Sequence, residues 1–188
     1  MKFSSKTELE HLFKAWLAIS IAFSIALFDI GPDFLRGILI SSVSVGTGFL
    51  LHELAHKLLA QKYGCIAEFR ANMNMLIFAI LFSFTGIILA APGAVMIKGV
   101  LDKRKNGLIS AAGPATNFVL AFIFFILLYF GFFETISKYG FMINAWIGFF
   151  NLIPFGIFDG YKVLKWNKTV YAFMVLIAIS LFLLQSFV

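Results

Sequence analysis

Five apolar stretches of roughly helix-spanning length, parted by short polar turns, set the limits on what this chain can fold into. They are residues 12–30, 37–62, 108–131, 140–158 and 169–187. Each is close to the ~20 residues that a helix needs to cross hydrocarbon. Of the 188 residues, 61% are hydrophobic and 13% charged, against about half and a quarter in an ordinary soluble domain. A soluble core could not hide that much apolar surface, because a domain of this size keeps a large wetted exterior. Lipid must therefore solvate much of the outside. No long polar segment is left to build a second unit, so residues 1–188 read as one membrane-embedded domain.

A further apolar stretch, residues 73–97, is settled by charge. If it enters and leaves on one side and the N-terminus is cytoplasmic, 13 of the 15 Lys and Arg are cytoplasmic, leaving only Arg36 and Lys138 outside. A full crossing would flip Lys98 and everything after it and erase that bias, so the positive-inside rule favours re-entry over a sixth span. Pro92-Gly93 suits the centre of a type II turn. The pattern predicts a half-membrane helix over 71–84 and a membrane-embedded β-hairpin over 86–99 beside the second span. Non-helical backbone at that depth survives only against protein or a watery cavity. The predicted fold is thus an all-α, polytopic helix bundle with five full spans plus this re-entrant element near residues 71–99. The expected setting is the plasma membrane, multi-pass, with the lipid bilayer as solvent.

The net charge of +6 does not form a nucleic-acid patch, because the bases lie in small clusters between apolar runs, as topology determinants do. The first span is preceded by lysines but also by Glu8 and Glu10, with no small-residue cleavage site after it, so it reads as a retained span. Cys65, the single cysteine, rules out an internal disulfide or a cysteine-rich metal site.

Within the second span stands Leu51-His52-Glu53-Leu54-Ala55-His56. Helix positions four apart share a face, so both imidazoles point the same way, with a carboxylate beside the first. That is the HExxH arrangement of zinc hydrolases: two metal-binding nitrogens and a base for the attacking water. An ionisable group at bilayer depth costs roughly 2.5–3.5 kcal/mol even on the lenient insertion scale. A purely structural polar network is a poor reason to place three of them within five residues. Catalytic zinc usually takes three protein ligands. The best candidate for the third is Asp159, the only acidic residue after Glu134, at the cytoplasmic end of the fourth run. Pro154 and Gly156 free the chain before it to turn inward; the alternative is a plain helix-terminal aspartate.

Asn151 in the fourth run could support a substrate backbone or a developing oxyanion, or could cap carbonyls released by Pro154. Asn144 is read as structural. Ala112-Gly113-Pro114 with Asn117, at the start of the third run, is read as close packing against the catalytic helix, the proline sitting in a first turn. His11 is read as interfacial.

These three segments together resemble the site-2 proteases: His52-Glu53-Leu54-Ala55-His56, Ala112-Gly113-Pro114-Ala115-Thr116-Asn117, and Asn151-Leu152-Ile153-Pro154 with Asp159-Gly160. The resemblance covers residues 37–162, the catalytic core of that family of intramembrane zinc metalloproteases. It departs at Gly156 and Phe158, where the family more often has proline and leucine, and it leaves no room for the PDZ or CBS domains many members carry. It implies that His52, His56 and Asp159 bind one Zn2+, that Glu53 is the catalytic base, and that Asn151 lies near the substrate. The substrate class implied is a transmembrane protein, cut on the cytoplasmic side. The rival reading is a transmembrane metal-ion transporter using the same ligands, which has no special need of a base beside its first ligand.

Overall fold

A computed structural model describes residues 5–28, 30–86, 88 and 92–187. The chain runs α1 (Lys6–Leu27), α2 (Phe34–Ser41), a π-helical turn (Ser42–Gly46), α3 (Thr47–Lys62), β1 (Ile66–Ala71), α4 (Met73–Ser83), β2 (Gly93–Lys98), α5 (Lys103–Tyr129), α6 (Glu134–Asn151), α7 (Asp159–Trp166) and α8 (Lys168–Gln185). Among the described residues, four helical stretches are long and apolar enough to cross a membrane: Lys6–Leu27, Phe34–Lys62, Lys103–Tyr129 and Lys168–Gln185. Their outward faces carry exposed large apolar side chains, among them Leu39, Val119, Phe122, Phe173 and Leu176. The protein is accordingly a helical membrane protein.

Side chains that satisfy backbone donors set the helix starts. Ser5 caps α1 by accepting from the Glu8 N–H at 3.1 Å, and Asp102 caps α5 by accepting from Lys105 at 2.7 Å. Asn72 and Asn167 do the same for α4 and α8. Each removes one of the unpaired N–H groups that a helix leaves at its start.

Helix α5 forms the spine, packing against α3, α6, α7 and α8. On one side, Phe118, Phe141, Leu152, Val163, Met174 and Leu181 make a core among α5 to α8. On the other, Leu12, Ile19, Val45, Phe49, Phe69 and Ile143 join α1, the π-turn, α3, β1 and α6.

Two expectations meet the structure in part and a third needs correction. The strand over 93–98 forms, but its partner is β1, in an antiparallel pair with Phe69 opposite Val95 and Arg70 opposite Ala94. The first arm of the predicted hairpin, residues 87–91, falls almost wholly outside the described residues. The reason for β1 is legible afterwards: in Ile66–Ala71 the buried Ala67 and Phe69 alternate with more exposed neighbours, the period of a strand. Next, the interruption expected at Pro154 and Gly156 is present. Helix α6 stops at Asn151, turns occupy Leu152 to Phe158, and α7 begins at Asp159. Pro154 cannot donate to a continuing helix, so the stop is chemical. Helix α6 is not among the four helical stretches long and apolar enough to cross a membrane. Finally, Pro114 lies inside α5, which starts at Lys103, well before the run predicted from hydropathy. The short helix predicted over 71–84 is present as α4.

Candidate metal centre

Helix α3 delivers His52, Glu53 and His56 to a single buried face, with relative exposures of 4%, 9% and 8%. The first residue of α7, Asp159, meets them there. The two imidazole Nε2 atoms are 3.0 Å apart. Asp159 Oδ2 lies 3.5 Å from the Nε2 of His52 and 3.1 Å from that of His56. The three side-chain atoms thus lie close enough together to hold one ion, and Asp159 is the acidic residue the fold brings to the two histidines.

The arrangement suits a metal ion in its donors and in its space. Two nitrogens and a carboxylate oxygen are a hydrolase donor set. Tetrahedral bonds of about 2.0–2.2 Å place ligand atoms roughly 3.3–3.6 Å apart, close to the separations observed. Each imidazole has its second nitrogen engaged elsewhere. His56 Nδ1 donates to the carbonyl of Ile109 at 2.7 Å, which leaves Nε2 as a lone pair aimed at the cluster. His52 Nδ1 lies 2.6 Å from Asn117 Oδ1. Space is kept open by Gly113: a Cβ there would come within 2.3 Å of His56 Nε2 and 2.5 Å of His52 Nε2. The only residue tolerable at that point of α5 is one with no side chain.

Glu53 sits beside the ligands, with the backbone N–H of Val95 in β2 near its carboxylate. Lys162, one turn along α7, reaches Asp159 Oδ1 at 3.9 Å. Asp159 can enter the cluster because Gly160 follows it; a Cβ on Gly160 would lie 2.2 Å from the carbonyl oxygen of Leu152. Asn151 is half-buried and donates through Nδ2 to the carbonyl of Ile147 at 2.9 Å.

Two readings from sequence are revised here. Asn117 does more than pack: it bonds a ligand histidine directly. His11 is tied to the sheet, its Nδ1 accepting from the Ala71 N–H at 3.2 Å. The signal for Asn117 was its place on α5: four residues after Gly113, it shares the face that meets the histidines.

Against known proteins, the chain is similar to "Putative zinc metalloprotease MJ0611" of Methanocaldococcus jannaschii. The two are 40% identical over 189 residues, covering 97% of this chain and 96% of that one. No family model and no solved structure matches.

Proposed function

The chain belongs to the same family as the zinc metalloprotease of Methanocaldococcus jannaschii, and on that premise we propose that it is an intramembrane zinc endopeptidase of the site-2 type. Its substrates are transmembrane proteins, cut within or near their spans. The observation that carries this reading is the buried His52–His56–Asp159 cluster, set on a helix long and apolar enough to lie in lipid, with Glu53 next to it.

Zinc, when bound, supplies Lewis acidity that lowers the pKa of water and polarises a scissile carbonyl. His52, His56 and Asp159 hold it. Glu53 takes the proton of the attacking water and returns it to the leaving amine, the general base turned general acid. The Val95 N–H holds the Glu53 carboxylate in place. Asn151, at the end of α6 one short loop before Asp159, faces the substrate and supports charge developing on the carbonyl oxygen. A glutamate so placed is what hydrolysis needs and what an ion pathway does not.

A helical substrate hides its peptide bonds, so it must unwind before the cut. The edge of β2 that β1 does not cover offers it a strand to pair with. In the membrane, α6 serves as a fifth span and α4 as a re-entrant half-helix. The N-terminus and the metal centre then face the cytoplasm, which places the lysine and arginine clusters as the positive-inside rule requires.

Metal content and cleavage, measured together on detergent-purified protein, test this. Wild type and Glu53→Gln should each carry about one zinc, and Asp159→Ala should lose it. Cleavage of a fluorogenic single-span peptide should fall on the order of 10²–10⁴-fold in Glu53→Gln. Continued cleavage by Glu53→Gln would refute the assigned base, and metal-free wild type would remove the protease reading.

A further inference from the structure

Behind His52 lies a buried chain of amides that the hydrolytic reading does not use. Asn117 Nδ2 donates to the Gly48 carbonyl at 3.3 Å and to Asn144 Oδ1 at 3.0 Å. Asn144 Nδ2 in turn donates to the carbonyl of Ser44, in the π-turn, at 3.0 Å and to that of Gly140 at 2.8 Å. Asn117 and Asn144 are fully buried. Gly48 makes room for the contact, since a Cβ there would lie 2.2 Å from Asn144 Oδ1.

The direction of this chain is fixed at its far end. Backbone carbonyls only accept, so Asn144 must turn its NH2 toward Ser44 and Gly140. Its Oδ1 is then an acceptor, which calls for the NH2 of Asn117. The Gly48 carbonyl demands the same orientation. Asn117 is left with only its Oδ1 for His52, so Nδ1 of His52 must carry the proton and Nε2 must be the bare lone pair.

We infer that Asn144, acting through Asn117 and anchored on the π-turn, is a positioning residue that holds His52 in its metal-binding tautomer and orientation. The inference rests on the metalloprotease reading and deepens it: the π-turn is the fixed end of a three-helix relay joining α6, α5 and the catalytic helix. Reversing any amide in the relay would set a carbonyl against a carbonyl in a buried site, where an unmade hydrogen bond is most costly.

The test uses the full-length protein in detergent, stripped of metal and retitrated with zinc against a chelator. Asn144→Leu should weaken zinc binding about 10–100-fold, as loss of an outer partner of a ligand histidine does. Ile143→Val, next to it on α6 but outside the relay, should bind as wild type does. Asn144→Asp keeps the shape but loses donor capacity, and should weaken binding too if Asn144→Leu does not fold. A readout independent of any variant is the imidazole 15N spectrum of wild type, in which Nδ1 of His52 should carry a proton whether zinc is bound or removed. Wild-type affinity in a folded Asn144 variant, or a His52 without a proton on Nδ1, would overturn the relay while leaving the protease reading standing. Absence of zinc binding by wild type would instead overturn that reading and the relay with it.

Discussion

The two outer edges of the small sheet are built for opposite purposes. Where Phe69 stands opposite Val95, neither donates to the other strand, so their N–H groups point outward from the pair in opposite directions. On the β1 side, α1 closes the edge. The Phe69 N–H donates to Glu8 Oε1 at 2.9 Å, and the Ala71 N–H to His11. The Ser5 hydroxyl donates to Glu68. Glu8 is fully buried and also pairs with Lys57 on α3 at 2.6 Å. On the β2 side, the Val95 N–H faces the Glu53 carboxylate, Met96 is exposed, and among the described residues no second strand pairs with that edge. An unpaired strand edge is a template for another chain. A sealed edge on one side, and on the other an edge beside Glu53 with no partner strand among the described residues, fit the proposed strand addition of substrate.

Opening the sealed edge should have the largest effect. Glu8→Gln removes the carboxylate that pairs with the buried Lys57 Nζ at 2.6 Å, a class of change that costs about 3–5 kcal/mol. The variant should unfold at markedly lower temperature or denaturant, read by thermal unfolding in a fixed detergent. Glu8→Gln combined with Lys57→Met removes both charges while the glutamine oxygen still accepts from the Phe69 N–H, and should recover most of the loss. If the double variant is no better than the single one, the ion pair is not what α1 contributes, and the seal rests on packing alone.

Blocking the open edge should leave stability nearly intact and strike activity. Val95→Pro removes the N–H that faces Glu53 and deprives the edge of one donor. Cleavage should fall about 10–100-fold with zinc still bound, because the ligands lie on α3 and α7 and not on the sheet. That range corresponds to about 1.4–2.7 kcal/mol of lost transition-state stabilisation. Full activity in this variant would remove both the β-addition step and the role of Val95 in holding Glu53. The contrast with Glu8→Gln then decides whether the two edges really differ in kind.

The same division explains what could be read in advance. His52, Glu53 and His56 are fixed by covalent spacing on one helix, so their convergence follows from 3.6 residues per turn. Asp159 was reachable by elimination, since acidic residues are scarce in the second half of the chain. Asn117 and Asn144 were seen as residues but not as a relay, because their partners come from three helices whose relative register no local pattern encodes. The pairing of β1 with β2 was missed for a related reason. Twenty-one residues separate Ala71 from Gly93, and the intervening apolar run drew attention to a local hairpin. The sealing role of Glu8 and His11 depends on that pairing, so it was hidden with it.

His11 gives the smallest and most discriminating effect. It is half-buried, and its part in the seal is a single hydrogen bond from the Ala71 N–H at the end of β1. His11→Ala should cost about 1 kcal/mol, the net worth of one ordinary hydrogen bond at a site that water can partly reach. Hydrogen exchange should show where the cost falls. The Ala71 amide should lose protection, that of Phe69 should keep it because Glu8 is unchanged, and zinc affinity should not move. If Phe69 opens together with Ala71, the seal is cooperative and α1 lifts from the sheet as a unit. If neither opens, His11 is only a passenger beside the strand, and Glu8 alone carries the closure of that edge.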